Sequence, residues 1–210
     1  MWIETRFFKA NDPKKMIETI NGYLDSKNRN DTLILQSLLS GDLMAGLRIH
    51  SGIKNLDENA KIFSDDWGSG LLEKSSGAEL VNVSLSSAVA NNDPNGELDG
   101  QLNYYHFVSC KSKFGGSEKA AIMANEWHKT VGPDLLKDGV RSFVLNPVTG
   151  NPLNRLIWVR GFKNGEVADK ALSSNDPNMP THSLFSRIFE EQFVDDVVGG
   201  LFRTIRQLIH

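Results

Sequence analysis

Apolar positions along the chain follow two periods, one typical of strands and one typical of helices. Val81, Val83 and Leu85 alternate with polar residues, which is the period of a half-buried strand. After Asp12 and Pro13, apolar residues recur at the three- and four-residue spacing of a helix, and these two residues supply an N-cap and a first-turn proline. The pattern therefore predicts a mixture of strands and amphipathic helices.

The first half of the chain is predicted to follow the order βαββαβ. A loop-rich stretch over 68–77 precedes its last strand. The predicted elements are a strand over 2–10, a helix over 13–24, a hairpin of strands over 32–39 and 47–53, a helix over 56–67, and a strand over 80–89.

The second half is predicted to repeat this order. Periodicity leaves 201–209 open between a strand and a helical tail, and we favour the strand because it completes the repeat. The other predicted elements are a strand over 102–111, a helix over 117–131 closed by Gly132 and Pro133, strands over 140–145 and 153–162 joined by a hairpin turn over 146–150, and helical segments over 166–172 and 183–198.

The two halves also match in sequence. At an offset of 109 residues, six identities fall within the 18 positions from 47 to 64, where about one is expected by chance. The segment 91–96 between the halves is rich in turn-forming residues and poor in apolar ones. We therefore predict a first domain over 1–90, a linker over 91–100 and a second domain over 101–210.

The order of elements predicts the fold class. A βαββαβ unit packs two helices on one face of a four-stranded antiparallel sheet and leaves the other face uncovered. Two such units can cover each other's open faces, which agrees with strand segments such as 33–35 and 156–159 that are apolar on both sides. The prediction is an α+β protein of two tandem ferredoxin-like units packed sheet to sheet.

Tandem units with the matching segments 51–55 (SGIKN) and 160–164 (RGFKN) resemble the dimeric α+β barrel superfamily. This superfamily includes antibiotic-biosynthesis-monooxygenase-like and stress-responsive barrel domains, and the resemblance implies a fused pseudo-dimer over nearly the whole chain. Members hold a small, mostly apolar ligand between sheet and helices. The resemblance implies a cofactor-independent oxygenase or isomerase acting on an aromatic or polyketide-like compound. The alternatives are a non-catalytic binder of a small apolar ligand or haem, and a structural protein that reuses the fold.

The densest cluster of reactive side chains lies on the first strand of the second half. Strand alternation places Tyr104, His106 and Cys110 on one face. If that face lines a pocket, His106 can act as a general base near neutral pH, with Tyr104 as a hydrogen-bond donor to a developing enolate or phenolate. The structural alternative is that aromatic residues fill a strand because they pack well there.

A second group of candidates lies on the following helix and on a nearby strand. Trp127 falls on the apolar stripe, His128 at its flank and Asn125 just outside it. The resemblance to monooxygenase-like domains, which use an Asn and a Trp near the ligand, makes Asn125, Trp127 and Trp158 candidate ligand-binding residues. The structural alternative, which the burial habits of tryptophan favour, is that Trp127 is a core residue.

Arg160 lies on a strand between apolar neighbours that share its face. A guanidinium is costly to bury without a partner, so Arg160 reaches the rim of the fold or meets an anion such as a substrate carboxylate. Because Tyr, His, Trp and Cys concentrate over 102–160, we predict that the functional pocket belongs to the second half.

Composition narrows the classes of function. The 210 residues are 40% hydrophobic and carry a net charge of −3, which disfavours nucleic-acid binding. The N-terminus lacks a signal-peptide pattern, so we expect a cytoplasmic protein without a membrane partner, acting alone or as a homo-oligomer. One cysteine and five scattered histidines predict no metal site, and we expect no cofactor unless one histidine ligates haem.

Overall fold

The computed structural model describes residues 2–9, 11–39, 46–53, 57, 70–113, 116–150, 154–173 and 191–207. Within these ranges the strands follow the order that the sequence pattern predicts. The elements are β1 (Trp2–Lys9), α1 (Pro13–Ser26), β2 (Thr32–Leu39), β3 (Gly46–Ile53), α2 (Leu71–Ser76), β4 (Glu79–Asn91), β5 (Tyr104–Ser112), α3 (Gly116–Lys137), β6 (Val140–Thr149), β7 (Arg155–Phe162), α4 (Gly165–Ser173) and β8 (Phe193–Arg206).

The strands close into an antiparallel barrel in the order β1-β3-β2-β8-β5-β7-β6-β4. The first four strands along the chain are neighbours in this barrel, and so are the last four. The two groups join where β2 pairs with β8 and where β4 pairs with β6. The α+β fold class and the pseudo-dimeric barrel are therefore confirmed.

Corresponding strands of the two groups keep the sequence offset noted above. Adding 109 to the bounds of β3 gives the bounds of β7. In the first group Ile3 lies opposite Gly52, and in the second Tyr105 lies opposite Gly161. The division into two domains with a linker over 91–100 stays a prediction, as does duplication of the sequence.

Apolar side chains fill both faces of the barrel wall. Leu35, Phe107 and Phe202 belong to a cluster in the barrel interior. On the outside, Met16 and neighbouring residues of α1 pack against β1, β2 and β3, while Trp127 and neighbouring residues of α3 pack against β4 to β7. The strands that lie under these two helices thus have a buried inner face and helix-covered positions on the outer face, as expected for strands that are apolar on both sides.

Local capping sets where two helices begin. The Asp12 side chain accepts a hydrogen bond from the Lys15 amide at 3.0 Å, and Pro13 occupies the first turn, as predicted. The Asn164 side chain accepts one from the Val167 amide at 2.9 Å at the start of α4. The equivalent cap predicted at Asn55 lies outside the described residues.

Two boundaries in the second half differ from the sequence prediction. The helix predicted to end before Gly132 continues through the exposed Pro133 to Lys137, although proline has no amide hydrogen to donate within the helix. Gly132 instead permits a close approach, since a Cβ there would lie 2.8 Å from Cβ of Asn92. The predicted hairpin turn over 146–150 is strand as far as Thr149, because these residues pair with β4 across the barrel closure.

Two further segments were wrongly predicted from local pattern. The stretch over 68–77 contains the short helix α2, which ends at Gly77 in a left-handed conformation with φ of 64°. Residues 193–198 are strand rather than helix, because β8 pairs with β5 from Phe193 to Arg203. The strand predicted over 201–209 is confirmed as far as Arg206.

The helix predicted over 56–67 lies outside the described residues except for position 57, and so does the part of the predicted helix over 183–190. Among the helices described, none combines the length and apolar character that a membrane crossing requires.

Candidate functional site

One end of the barrel interior holds a cavity of about 360 Å³. This volume lies within the usual range for small-molecule sites. Both halves of the chain and the segment between them enclose it. Its lining residues are Ile3, Leu33, His50, Ser51, Gly52, Ala88, Asn91, Asp93, Pro94, Asn95, Gly96, Asp99, Tyr105, Phe107, Arg141, Phe143 and Leu145.

The walls of the cavity are mostly apolar. Phe107, Phe143 and Leu145 line it from β5 and β6, and Ile3 and Leu33 line it from β1 and β2. These residues belong to or pack against the interior cluster, so the cavity is a gap in the barrel core. Such a surface favours a flat, apolar ligand.

The segment that follows β4 covers the open end of the barrel. Asp93 is fully buried there, and its carboxylate accepts hydrogen bonds from the Glu97 amide at 2.7 Å and the Leu98 amide at 3.1 Å. Gly96 has φ of 72°, a conformation that favours glycine. The carboxylate thus holds the loop in a compact turn that forms part of the cavity wall.

Arg141 on β6 ties this loop to the barrel. Its guanidinium donates to Asp93, with Nε at 2.8 Å from Oδ2, and also to Asp99. Burial alone would raise the pKa of Asp93, but the Arg141 bond and the two backbone amides hold it below its usual value. Burial would likewise lower the pKa of Arg141, and its bonds to both carboxylates raise it. Asp93 and Arg141 therefore stay charged at neutral pH.

His50 on β3 is the histidine that lines the cavity. Its Nδ1 lies 2.9 Å from Oγ1 of Thr5, and its ring stacks on Phe107 with centroids 5.3 Å apart and planes inclined by 12°. These contacts fix the orientation of the imidazole. When Nδ1 donates to the threonine hydroxyl, Nε2 carries the lone pair and can accept a proton.

Tyr105 contributes a buried phenol to the same cavity. Its side chain is 3% exposed, and burial raises the pKa of its hydroxyl. A Cβ at Gly161 would lie 2.9 Å from the Tyr105 ring, so glycine at this position admits the ring. Tyr105 therefore remains protonated at neutral pH and can act as a hydrogen-bond donor.

The first predicted cluster lies on the other face of β5. Tyr104, His106 and Cys110 share one face as predicted, but they point toward the outside of the barrel while Tyr105 and Phe107 point inward. Burial raises the pKa of the Cys110 thiol to about 12. The thiol is thus protonated and packed in the core between α3 and the sheet.

His106 and Arg160 are brought together by the pairing of β5 with β7. Arg160 donates through Nη2 to Nδ1 of His106 at 3.1 Å. Burial and, to a smaller extent, the neighbouring Arg160 charge lower the pKa of His106 to about 4. His106 is therefore neutral at pH 7.

The predicted residues on α3 lie under that helix. His128 is buried, with Nδ1 at 2.7 Å from the Ala124 carbonyl and Nε2 at 3.0 Å from Oγ of Ser142. The Trp158 indole donates to the same hydroxyl at 3.3 Å, and Trp127 packs edge-on against Trp158. Burial lowers the pKa of His128, so it is a neutral member of a satisfied core network.

Asn125 is exposed, and its side-chain amide donates to the Val89 carbonyl at 2.6 Å. None of the eight predicted site residues lines the cavity, so the roles predicted for them stay predictions. The cavity also draws on both halves rather than on the second alone. Sequence reasoning missed Asp93 and Arg141. An aspartate within the turn-rich segment after β4 is nevertheless a signal for a structured loop, because aspartate side chains often accept hydrogen bonds from nearby backbone amides.

In the part of the chain that the structure describes, no group of three or more His, Cys, Asp or Glu side chains is placed to hold a metal ion.

No protein-family model and no curated protein sequence matches the chain. Solved structures do match its fold. A haem-degrading enzyme from Listeria monocytogenes is similar at a TM-score of 0.52 and 6% identity, over 95% of this chain and 98% of that one. This neighbour makes haem a group to test against the cavity.

The described lining residues do not fit haem well. His50 could supply the single axial nitrogen that haem iron needs. The propionates of haem need cationic partners, yet the guanidinium of Arg141 is already bonded to Asp93 and Asp99, so two carboxylates would face them.

Two other structures are more similar. An anthrone oxidase-like protein matches at a TM-score of 0.67 and 10% identity, over 100% of this chain and 94% of that one. A monooxygenase-like protein from Fusobacterium nucleatum matches at a TM-score of 0.70 and 7% identity, over 99% and 94%. At these identities the similarity establishes the fold alone. The chain therefore has the fold of the dimeric α+β barrel superfamily, with both halves of the barrel supplied by one polypeptide.

Proposed function

We propose that this protein is a small-molecule enzyme of the monooxygenase-like barrel type. It takes an aromatic or polyketide-like compound into the barrel-end cavity and acts on it without a cofactor, as an oxygenase or an isomerase. The observation that carries the proposal is one cavity of about 360 Å³ that combines aromatic walls with a fixed imidazole and a buried phenol. A mostly apolar pocket with a few convergent polar groups is the usual form of a small-molecule site.

His50 is assigned the role of proton acceptor, and Tyr105 that of hydrogen-bond donor. Thr5 and Phe107 hold the imidazole in place from two sides, which a general base requires. The protonated Tyr105 hydroxyl stabilises the enolate or phenolate oxygen that forms when His50 removes a proton.

The two reaction types share this first step and then diverge. In the isomerase, the proton returns to another carbon of the same molecule, and no other reactant is needed. In the oxygenase, the carbanion reacts with O2, so that an activated methylene becomes a carbonyl and the second oxygen atom leaves as water. Oxygen consumption therefore separates the two.

The test fills the cavity without disturbing its walls. A Cβ built on Gly52 meets nothing within 4 Å, so the larger side chain of Gly52→Val fits there and reduces the volume of the cavity. Gly22, on the exposed side of α1, also meets nothing within 4 Å, so Gly22→Val is the matched control. Anthrone and 1-naphthol serve as probes, with binding measured by fluorescence titration and oxygen uptake by an electrode.

The expected result is binding to the wild type and to Gly22→Val, and at least tenfold weaker binding to Gly52→Val. Uptake of O2 above the uncatalysed rate, abolished by His50→Gln, identifies the oxygenase. Binding without any turnover of either type favours the alternative, a non-catalytic binder of apolar ligands. Equal binding to Gly52→Val and Gly22→Val refutes the assignment of the cavity.

A further inference from the structure

Tyr105, Gly161 and Arg141 form one row across three neighbouring strands of the cavity wall. On β5, Tyr105 lies opposite Gly161, and on β6, Arg141 lies opposite the same glycine. A Cβ built on Gly161 would lie 2.9 Å from Cε1 and 3.2 Å from Cζ of Tyr105. The ring thus lies over the glycine, and its hydroxyl reaches across β7 toward Arg141.

The Tyr105 hydroxyl and the Arg141 guanidinium are neighbours in the cavity, which both residues line. Burial raises the pKa of Tyr105, whereas the nearby charge of Arg141 lowers it. Because a guanidinium can only donate hydrogen bonds, any bond between the two groups uses the phenol oxygen as the acceptor. The hydroxyl hydrogen of Tyr105 therefore remains available to a ligand.

Two of the three guanidinium nitrogens of Arg141 are used by the protein. Nε donates to Asp93 at 2.8 Å, and Nη2 donates to Asp93 and Asp99. Over the described ranges, these two nitrogens make all the hydrogen bonds from Arg141 to carboxylates. Since Arg141 lines the cavity and its side chain is 10% exposed, Nη1 is the nitrogen left to donate to a ligand there.

The charge of Arg141 is already balanced inside the fold. Asp93 is fully buried, and its bond to Arg141 helps to hold its pKa below the usual value, so the two form a neutral pair. Asp99 adds a second carboxyl group to the same guanidinium. A carboxylate ligand would lose its hydration and meet these acceptors without gaining an unmatched positive charge. The donors therefore suit an oxygen atom that carries no charge in the resting ligand.

We propose that Arg141 is a further ligand-binding residue of the cavity, which with Tyr105 donates hydrogen bonds to the carbonyl oxygen of an uncharged aromatic ketone. This inference rests on the proposed function, because it concerns the same cavity. The next inward-facing residue along β5 is Phe107, on which His50 stacks. When Nε2 of His50 takes a proton from the carbon beside the carbonyl, the electron pair of that C–H bond moves to the oxygen, where both donors stabilise the enolate.

Three naphthalene derivatives test which ligand oxygen the cavity accepts. The ketone is 1-acetonaphthone, naphthalene lacks the carbonyl group, and 1-naphthoate carries a negative charge. Equilibrium dialysis against the full chain at pH 7 gives the three dissociation constants. We expect the wild type to bind the ketone about tenfold or more tightly than either analogue, as two hydrogen bonds and the exclusion of a charge imply.

Two variants each remove one donor. Tyr105→Phe should weaken ketone binding about 3- to 10-fold, and Arg141→Lys, which keeps a positive charge, about 10- to 100-fold. Neither should change naphthalene binding by more than about twofold, because a lost donor, unlike a damaged cavity, does not affect a ligand without oxygen. Tyr23→Phe and Arg155→Lys are the matched controls, since neither residue lines the cavity, and both should bind all three probes as the wild type does.

The carbonyl stretching band of the bound ketone gives a second measurement. It should lie at lower frequency in the wild type than in Tyr105→Phe, because hydrogen bonds weaken the C=O bond. Unchanged ketone binding in Tyr105→Phe, an equal loss of ketone and naphthalene binding in that variant, or equal binding of 1-naphthoate and the ketone overturns this inference alone. If Arg141→Lys does not fold, Tyr105→Phe decides. Failure of the wild type to bind the ketone and naphthalene, or unchanged binding of both in Gly52→Val, overturns the proposed function and this inference with it.

Discussion

The contact between Arg141 and Asp93 should dominate the stability of the cavity end of the barrel. The Asp93 side chain is 0% exposed and the Arg141 side chain 10% exposed. Arg141→Met keeps much of the apolar stem but leaves the Asp93 carboxylate buried beside a second carboxylate, Asp99. Breaking a buried pair from one side costs about 3 to 5 kcal/mol, out of a total stability of about 5 to 15 kcal/mol.

Urea unfolding followed by tryptophan fluorescence measures this loss. With a slope of about 2 kcal/mol per M, the midpoint should fall by about 2 M at pH 7. Arg29→Met is the matched control, since it breaks an ion pair with Asp31 whose carboxylate is 44% exposed, and it should cost no more than about 1 kcal/mol. Arg141→Met combined with Asp93→Asn should recover part of the loss.

The loss should also depend on pH. In the wild type the pKa of Asp93 is lowered, so its contribution is present above the ordinary carboxyl pKa and disappears as pH falls through the folded value. In Arg141→Met, burial without the guanidinium raises the carboxyl pKa, so the variant is destabilised most at neutral pH. The difference between wild type and variant should therefore shrink from pH 7 to pH 4. A loss below 1 kcal/mol at pH 7, or a constant difference across this range, would refute the reasoning.

Three further predictions rest on other parts of the fold. Cys110, with its thiol pKa raised by burial, should react with a disulfide reagent at pH 8 only when urea unfolds the chain. His128, whose pKa burial lowers, should make the wild type lose stability as pH falls below about 6.5, and His128→Gln should flatten that slope in urea titrations. Residues 1–90 alone should aggregate or dimerise, since they expose the inner face of four strands; a folded monomer by light scattering would contradict this.

The fold was predictable because its signals are local. The period of two in β4, the Asp12 cap of α1 and the Asn164 cap of α4 each involve residues close in sequence. Errors arose where a distant partner decided the structure. Residues 146–149 resemble a turn, yet they extend β6 because β4 offers backbone hydrogen bonds across the barrel closure.

The candidate site could not be predicted in the same way. His50, Asp93 and Arg141 are more than 40 positions apart in sequence and meet because the barrel closes. Alternation along β5 correctly placed Tyr104 and His106 on one face. It could not reveal which face lines a cavity, because both faces of this strand are covered by apolar side chains.

The position of the cavity follows from a difference between equivalent strand pairs. Where β5 meets β7, the Tyr105 ring fills the space in front of Gly161. Where β1 meets β3, the residue opposite Gly52 is Ile3, and no atom lies within 4 Å of a Cβ built on Gly52. At equivalent positions of the barrel, the space beside the strand glycine is therefore filled between β5 and β7 and empty between β1 and β3.

The next inward-facing residues of the same two strand pairs differ in their chemistry as well as in their packing. Phe107 lies opposite Val159 in one strand pair, whereas Thr5 lies opposite His50 in the other. The open pair thus carries the hydroxyl and imidazole that are bonded to each other, and the closed pair supplies Phe107, on which that imidazole stacks. This difference between the two strand pairs gives the barrel-end cavity one side with a bonded hydroxyl and imidazole and another side with an aromatic wall, which two identical halves could not do.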